Sequence, residues 1–332
     1  MGSDKFPIPD VEGAVAAARE YGVDIILVGD ESKVRPVLDA QNIQGLSIKL
    51  VHAPEMLTME DKGLALVLKA KRKEAKSSMA VGIDLLKSGE AQAFVTMGNT
   101  GACVAVAYFR LGMLPGVERP ALAAPFPTKS GICIALDIGA NPDCKPENLM
   151  QFGIMGSVYA EKVRKVSNPR IGLLSNGEEA GKGNQLIKDT YPLLESAGLN
   201  FIGNVEGKEF IGGDADVVVM DGFTGNIALK TSEAVAKLIT DTIREKIRNG
   251  SALTKVGGAL VRGELQTLRA MLDPSHEGAA PLLGVNGLVF IGHGRSDALA
   301  VQNAVRVAKQ AVDAQVLTTI SDEITRRLPK EA

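Results

Sequence analysis

The chain reads as an α/β protein, with a mostly parallel sheet covered by helices on both faces in a three-layer α/β/α sandwich. Two observations carry that reading. Short, continuously apolar runs alternate with helical segments along the sequence, the pattern of strands buried on both faces. Five of those runs then end in Gly-rich polar turns. Ala93–Met97 enters Gly98-Asn99-Thr100-Gly101, Ile132–Leu136 enters Asp137-Ile138-Gly139-Ala140-Asn141, and Val217–Met220 enters Asp221-Gly222-Phe223-Thr224-Gly225-Asn226. Ile171–Leu174 enters Ser175-Asn176-Gly177-Glu178-Glu179 and then Gly181-Lys182-Gly183-Asn184, and Leu288–Ile291 enters Gly292-His293-Gly294-Arg295-Ser296. One such turn says little, because Asn and Gly are ordinary turn residues. Five of them suggest one polar site gathered from many strand ends.

The elements follow in order. Val11–Tyr21 has Ala-rich helical character, and Asp24–Val28 is a β-branched strand ending at Gly29-Asp30. Ser32–Gln41 reads as a helix and Leu46–Val51 as a strand. Met79–Lys87 is a helix entered at Lys76-Ser77-Ser78, where a Ser N-cap leaves first-turn amides open to an anion. It feeds the Ala93 strand, and the small residues Cys103–Ala107 open the next helix. Gln151–Val163, Gln185–Ser196 and Ser296–Val316 are further helices, each preceded by Gly or Asn punctuation. There is no fixed-period repeat, low-complexity tract or linker, so residues 1–332 are expected to form one catalytic domain.

One stretch breaks the alternation. Ser232–Leu272 holds about twice the helix that a crossover needs. Val235, Leu238, Ile239, Ile243 and Ile247 form one apolar stripe; Leu253, Val256, Leu260, Leu265, Leu268 and Leu272 form a second, with expected breaks at Gly257-Gly258 and Gly263. From Arg244 to Leu272, Arg244, Lys246, Arg248, Lys255, Arg262 and Arg269 stand against only Glu245 and Glu264, a local balance of +4. This reads either as a helical hairpin with a solvated basic face, or as an arm for dimerisation, an acidic partner or a membrane surface, with Lys255, Arg262 and Arg269 as its contacts.

Composition narrows the function. The 332 residues are 45% hydrophobic with a formal charge of −2, so nothing global points to nucleic acid. Trp is absent and aromatics make up 4%, against a base-stacking platform. Three histidines and three cysteines without CxxC spacing are a poor zinc set, and Cys103, Cys133 and Cys144 read as buried thiols. No charged-then-apolar leader opens the chain, and no apolar run reaches the roughly 18 residues of a membrane span. A nicotinamide GxGxxG after a strand, a P-loop, a GxSxG elbow and an HExxH helix are all missing.

What remains is a set of polar strand-end residues without a strong side-chain nucleophile. Asn99, Thr100, Asn141, Asn176, Asn184 and Asn226 can hold oxyanions or fix a carbonyl, or else serve as turn and cap residues. Asp137 and Asp221, beside Gly, divide in the same way between Asx turns and function. Lys182 lies between glycines, where a cation has little packing role, and His293 is flanked by glycines after a buried strand. Such a set suits a substrate that brings its own nucleophile. Phosphate held by amides and a Lys could attack a thioester carbonyl while Asn or backbone donors take the oxyanion. The residues permit that reaction without singling it out.

The motifs add a resemblance. Lys76-Ser77-Ser78-Met79, Gly98-Asn99-Thr100-Gly101-Ala102, Leu136–Asn141, Asn176-Gly177-Glu178-Glu179, Lys182-Gly183-Asn184, Phe201–Gly207, Asp221–Asn226, Pro281–Val285 and His293-Gly294 stand in order along nearly the whole chain. Together they resemble the bacterial acyl-ACP:phosphate acyltransferases of phospholipid synthesis. The resemblance implies conversion of acyl-[acyl-carrier protein] and inorganic phosphate to acyl phosphate and free carrier protein, with no metal and no nucleotide cofactor. It implies an isopropylmalate dehydrogenase-like fold and a cytosolic homodimer that visits the membrane, where a downstream membrane acyltransferase takes the product.

On that reading the catalytic candidates are Lys182, Asn184, Asn226 and His293. Ser77, Ser78, Gly98, Asn99, Thr100, Gly101, Asp137, Asn141 and Asn176 are the candidates for binding phosphate or substrate. Two departures accompany the resemblance: the family usually opens with an apolar strand running into Asp-Ala-Met-Gly-Gly-Asp, of which Met1-Gly2-Ser3-Asp4 looks like the middle, and Ala279 stands where a Gly is usual. The rival readings are a dehydrogenase of a small 2-hydroxy acid on the related fold, and a membrane-associated scaffold working through the arm.

Overall fold

The computed structural model describes residues 2–58, 60–61, 63–72, 74, 76–272 and 274–328. The chain opens with α1 (Ile8–Tyr21), β1 (Ile25–Gly29), α2 (Glu31–Asp39), β2 (Ile48–His52), α3 (Gly63–Lys71), α4 (Ser78–Lys87), β3 (Ala93–Thr96) and α5 (Thr100–Arg110). Next come β4 (Ala121–Leu122), β5 (Ala124–Thr128), β6 (Gly131–Leu136), α6 (Pro146–Lys162), β7 (Ile171–Leu174), α7 (Gln185–Ser196), β8 (Phe201–Val205), α8 (Gly207–Gly212) and β9 (Val217–Val219). The last third holds α9 (Gly222–Asn249), α10 (Ala252–Leu260), α11 (Arg262–Leu272), β10 (Ala280–Leu283), β11 (Leu288–Ile291), α12 (Ala298–Asp313) and α13 (Val316–Arg327).

The expected sheet is present but divided into three. β1 and β2 form a parallel pair, a second sheet runs β3-β11-β10-β4, and a third runs β5-β6-β9-β7-β8. Within the third, only the β5–β6 pairing is antiparallel. β4 and β5 are separated by Ala123 alone, whose amide donates to the Pro281 carbonyl of β10 at 3.0 Å. Residues 121–128 therefore pass directly from one large sheet to the other.

The five-stranded sheet is covered on both faces, as its apolar strands require. Ile134 and Leu136 of β6 and Val217 and Val219 of β9 join one core with Phe152 of α6 and Leu194 of α7. Cys133, Ala135 and Val218 face the opposite way, into a second core with Phe210 of α8 and Leu229 of α9. The period of two along each strand puts alternate side chains in different cores. One consequence positions the site. β6 leads to α6 on one face, whereas its neighbour β9 leads to α9 on the other, which makes the carboxyl edge between them a switch point, where sheets of this kind form their ligand crevice.

Two expected boundaries move. The helix expected over Ser296–Val316 ends at Asp313, and the chain turns at Gln315, where φ is +52°, before α13 begins. In the arm, the breaks fall at Gly250-Ser251 and at Val261, not at Gly257-Gly258 or Gly263, all three of which lie inside helices. Ser251 explains the first: its hydroxyl accepts the Thr254 amide and caps α10. Gly258 has a different task, because a Cβ there would collide with the Ile247 side chain of α9. The glycine allows α10 to fold back closely on α9. Among the described residues no helix is long and apolar enough to cross a membrane.

Candidate active site

The crevice between the β6 and β9 loops is built on Asp137. Its carboxylate is fully buried and accepts five N–H bonds, from the backbone of Leu122, Gly139, Ala140 and Asn141 and from the Asn141 side chain. Burial pushes the carboxyl pKa up, against the pull of those donors. Asn141 also donates to the Pro120 carbonyl. The first turn of α9 then closes on this loop: Gly222 donates to the Asn141 carbonyl at 2.8 Å, and Asp221 caps the helix by accepting from Thr224. Asn226, exposed, lies over Gly139, 3.7 Å from where a Cβ on that glycine would stand.

The β7 loop lies beside this crevice, because β7 is the other neighbour of β9. Asn176 accepts the Gly183 amide at 3.0 Å and so clips the loop shut just after Lys182. Gly183 has φ +96°, a conformation that favours glycine. Asn184 caps α7 by accepting from Ile187. The Lys182 stem runs over Gly177, where a Cβ would come within 2.8 Å of Cγ. Its packing role is therefore real but confined to the stem; the ammonium has no hydrogen-bond or ion-pair partner among the described residues.

The second pair of loops belongs to β3 and β11, parallel neighbours whose carboxyl ends lie together. Gly292 donates to the Thr96 carbonyl and Gly98 to the Thr96 hydroxyl, which ties the two loops to one residue. α9 links them to the crevice. It carries Asn226, Lys230 and Glu233 at spacings of four and three, hence on one face and over about 10 Å. Glu233 Oε1 faces His293 Nε2 at 3.9 Å, while Oε2 takes Lys230 at 3.1 Å and Arg295 at 3.9 Å. Desolvation holds the His293 pKa below the ordinary imidazole value, although Glu233 pulls it upward.

Several expected ligands have other duties here. Ser77 and Ser78 are 3% and 4% exposed, and the Ser77 hydroxyl is taken by the Ala80 amide as the cap of α4. Asn99 spends its oxygen on the Ala102 amide and its nitrogen on the Thr58 and Asp61 carbonyls. Thr100 is the first residue of α5, with Gly101 exposed beside it and Gly98 buried. Asp137 spends both carboxylate oxygens on the loop around it, and Asn141 spends its side-chain NH2 on the Pro120 carbonyl and the Asp137 carboxylate. Lys182, Asn176, Asn184 and Asn226 keep side-chain N–H groups that no described residue takes, and Nδ1 of His293 is likewise unpaired.

Cys103 and Cys133 are buried and Cys144 half-buried, and burial pushes all three thiols up to about 12. Lys255 and Arg262 are exposed on the arm; the side chain of Arg269 lies outside what the structure describes. The one carboxylate cluster among the described residues, Glu178, Glu206 and Glu209, already surrounds the Lys208 ammonium at 2.8, 3.5 and 3.2 Å. Sequence reasoning missed Glu233. Its only signal was the spacing to Asn226 and Lys230, which in a surface helix reads as a solvated face.

The sheet order and the polar loops at its carboxyl edges define an α/β protein with the fold of the phosphotransacetylases. A phosphotransacetylase from Streptococcus pyogenes superposes with a TM-score of 0.61 at 16% identity, over 92% of each chain. A putative 4-hydroxythreonine-4-phosphate dehydrogenase from Salmonella typhimurium superposes with a TM-score of 0.51 at 13% identity, over 91% of this chain and 96% of that one. At the sequence level, the family described as fatty acid synthesis protein matches residues 1–319. The phosphate acyltransferase of Acidobacterium capsulatum is 46% identical over 317 residues, 95% of this chain and 92% of its own. The chain belongs to this phosphate acyltransferase family, as its motifs suggested, and it has the fold that the resemblance implied.

Proposed function

We propose that the enzyme transfers the acyl group of an acyl-[acyl-carrier protein] thioester to inorganic phosphate, releasing acyl phosphate and free carrier protein for phospholipid synthesis. The observation that carries this reading is the unpartnered Lys182 ammonium, held on a clipped loop whose Asn176 and Asn184 keep free amide N–H groups. A phosphate dianion matches that arrangement. Burial pushes all three thiols up to about 12, so none of them competes as a thiolate with the substrate's own nucleophile. Lys182 would hold phosphate, Asn184 and Asn226 would orient phosphate and thioester, and His293 would serve the leaving sulfur. Release of free carrier protein, followed with and without phosphate, tests the proposal. Release is expected only with phosphate; phosphate-independent release, or reduction of a nicotinamide cofactor by a hydroxy acid, would refute it.

On the same reading the arm joins two copies into a homodimer and meets an acidic surface, where the product is handed to a membrane acyltransferase. Leu253, Val256 and Leu260 are 81%, 57% and 82% exposed on α10, next to Lys255 and Arg262. That combination of apolar and basic groups fits an anionic lipid surface. Reversing both charges, Lys255→Glu with Arg262→Glu, should weaken binding to anionic vesicles at low salt by about thirtyfold or more, at roughly 1 kcal/mol for each of the two positive charges removed. Turnover in solution without lipid should be unchanged. Parental vesicle binding would leave the basic balance as a solvated face, and a raised KM for the acyl-carrier protein without lipid would move the contact to that partner.

A further inference from the structure

Glu233 is the feature that the proposed chemistry leaves unexplained. It lies in the fourth turn of a surface helix, yet Oε1 is buried and has no hydrogen-bond partner. Leaving a buried carboxylate oxygen unpaired costs stability. Oε2 is held by Lys230 and faces Arg295, so the carboxyl group is fixed with its free oxygen towards His293 Nε2. Other expected ligands, such as Asn99 and Asp137, have every polar atom engaged. This pair keeps one open contact, at 3.9 Å.

We propose that Glu233 is the positioning residue of His293, directing Nε2–H at its carboxylate and leaving Nδ1 as the nitrogen presented to the substrate. The inference rests on the role given to His293 under the proposed function. A carboxylate repels a lone pair, so Nε2 carries the proton and neutral His293 offers Nδ1 as a base. Nδ1 takes the one proton of the hydrogen-phosphate dianion as a phosphate oxygen bonds to the thioester carbon. The C–S bond then breaks, its electron pair goes to sulfur, and the Nδ1 proton follows, giving acyl phosphate and a free thiol. While the proton is held, the ring is an imidazolium facing Glu233, the partner that offsets its desolvation. Lys230 of α9 and Arg295 of the same loop oppose that charge, so Glu233 is the one described group that favours it.

Nitrogen-15 NMR of the intact protein tests the contact directly, because the chain has three histidines and His293→Gln assigns the third. The Nε2–H tautomer is expected for His293; an Nδ1–H tautomer overturns the proposal. Glu233→Gln should lower the His293 pKa, since the attraction for the imidazolium is lost. The acid limb of the kcat profile then moves to lower pH by the same amount, with kcat reduced about tenfold or more. Glu233→Asp should restore part of kcat, and Glu245→Gln on the same helix should change nothing. A Glu233→Gln enzyme with the parental acid limb and parental kcat overturns the positioning role even if His293→Gln is inactive. Full activity of His293→Gln removes the reading of His293 itself, and the positioning role falls with it.

Discussion

Gly225→Ala is expected to destabilise the enzyme by about 3 kcal/mol or more and to abolish turnover. The substitution adds one methyl group at the second turn of α9. That methyl would overlap the backbone carbonyl oxygen of Asp137, with the Asp137 carbonyl carbon at 2.9 Å and Ile138 Cα at 3.0 Å. Backbone cannot rotate aside as a side chain can, so the loop or the helix must shift. The loop is pinned by five bonds to the Asp137 carboxylate, and the helix start is pinned by Gly222 on the Asn141 carbonyl. Either movement opens the crevice and displaces Asn226 from Gly139. Gly257→Ala is the matching control: that glycine is exposed within α10 and has nothing within 4 Å of its Cβ position. It should gain up to about 1 kcal/mol from helix propensity. Thermal or denaturant unfolding of both variants, with turnover, checks the pair; equal stability and activity in Gly225→Ala would show that the loop gives way freely.

The central strands were readable because their environment is simple. Ile171–Leu174 and Leu288–Ile291 have the expected bounds, and β6 and β9 differ from expectation by one residue. Strands buried on both faces must be apolar throughout, so a short unbroken run is enough to mark them. The segment 121–128 was not readable, since Pro125 and Pro127 argue against a strand. β5 tolerates them because it pairs only with β6 and lies at the edge of its sheet. β8 was hidden in another way: Gly203 sits at φ +95°, and the pairing with β7 shifts register between Ile171 and Gly172. Gly258 shows the ambiguity of glycine in a helix, where a break and a close helix approach look the same in sequence.

The site was readable as a set of loops but not as a set of free groups. Asn99 and Asn184 look alike, each following glycine and opening a helix. Both cap, yet the nitrogen of Asn99 is claimed by carbonyls about forty residues earlier in the chain, and that of Asn184 is not. Asp137 divided evenly between turn and function, and in the fold its carboxylate oxygens are engaged in five bonds. Which polar group is spent and which is left over depends on tertiary contacts, and local spacing does not encode them. Glu233 is the converse case, a helical carboxylate that becomes distinctive only when the β11 loop is folded against it.

Lys182→Ala should leave the fold unchanged and weaken phosphate use by about 2 kcal/mol or more, a rise in KM for phosphate of roughly thirtyfold, through loss of a charge-assisted hydrogen bond. The fold is spared because the ammonium is exposed and has no partner to strand. The loop keeps its shape through the Asn176 bond to Gly183 and the Asn184 cap, neither of which involves the Lys182 side chain. Only the stem contact over Gly177 is lost, and Lys182→Met retains it while removing the charge. If charge is what matters, Met and Ala should raise the phosphate KM equally; if the stem positions the loop, Met should rescue. Lys182→Arg should recover part of the affinity, because guanidinium keeps the charge but spreads its donors over a larger fork. The KM for the acyl donor should change little in all three, since phosphate is the anion that needs a cation here. An unchanged phosphate KM and kcat in purified Lys182→Ala would remove this residue from the site and leave the free amides of Asn184 and Asn226 to bind phosphate without a cation.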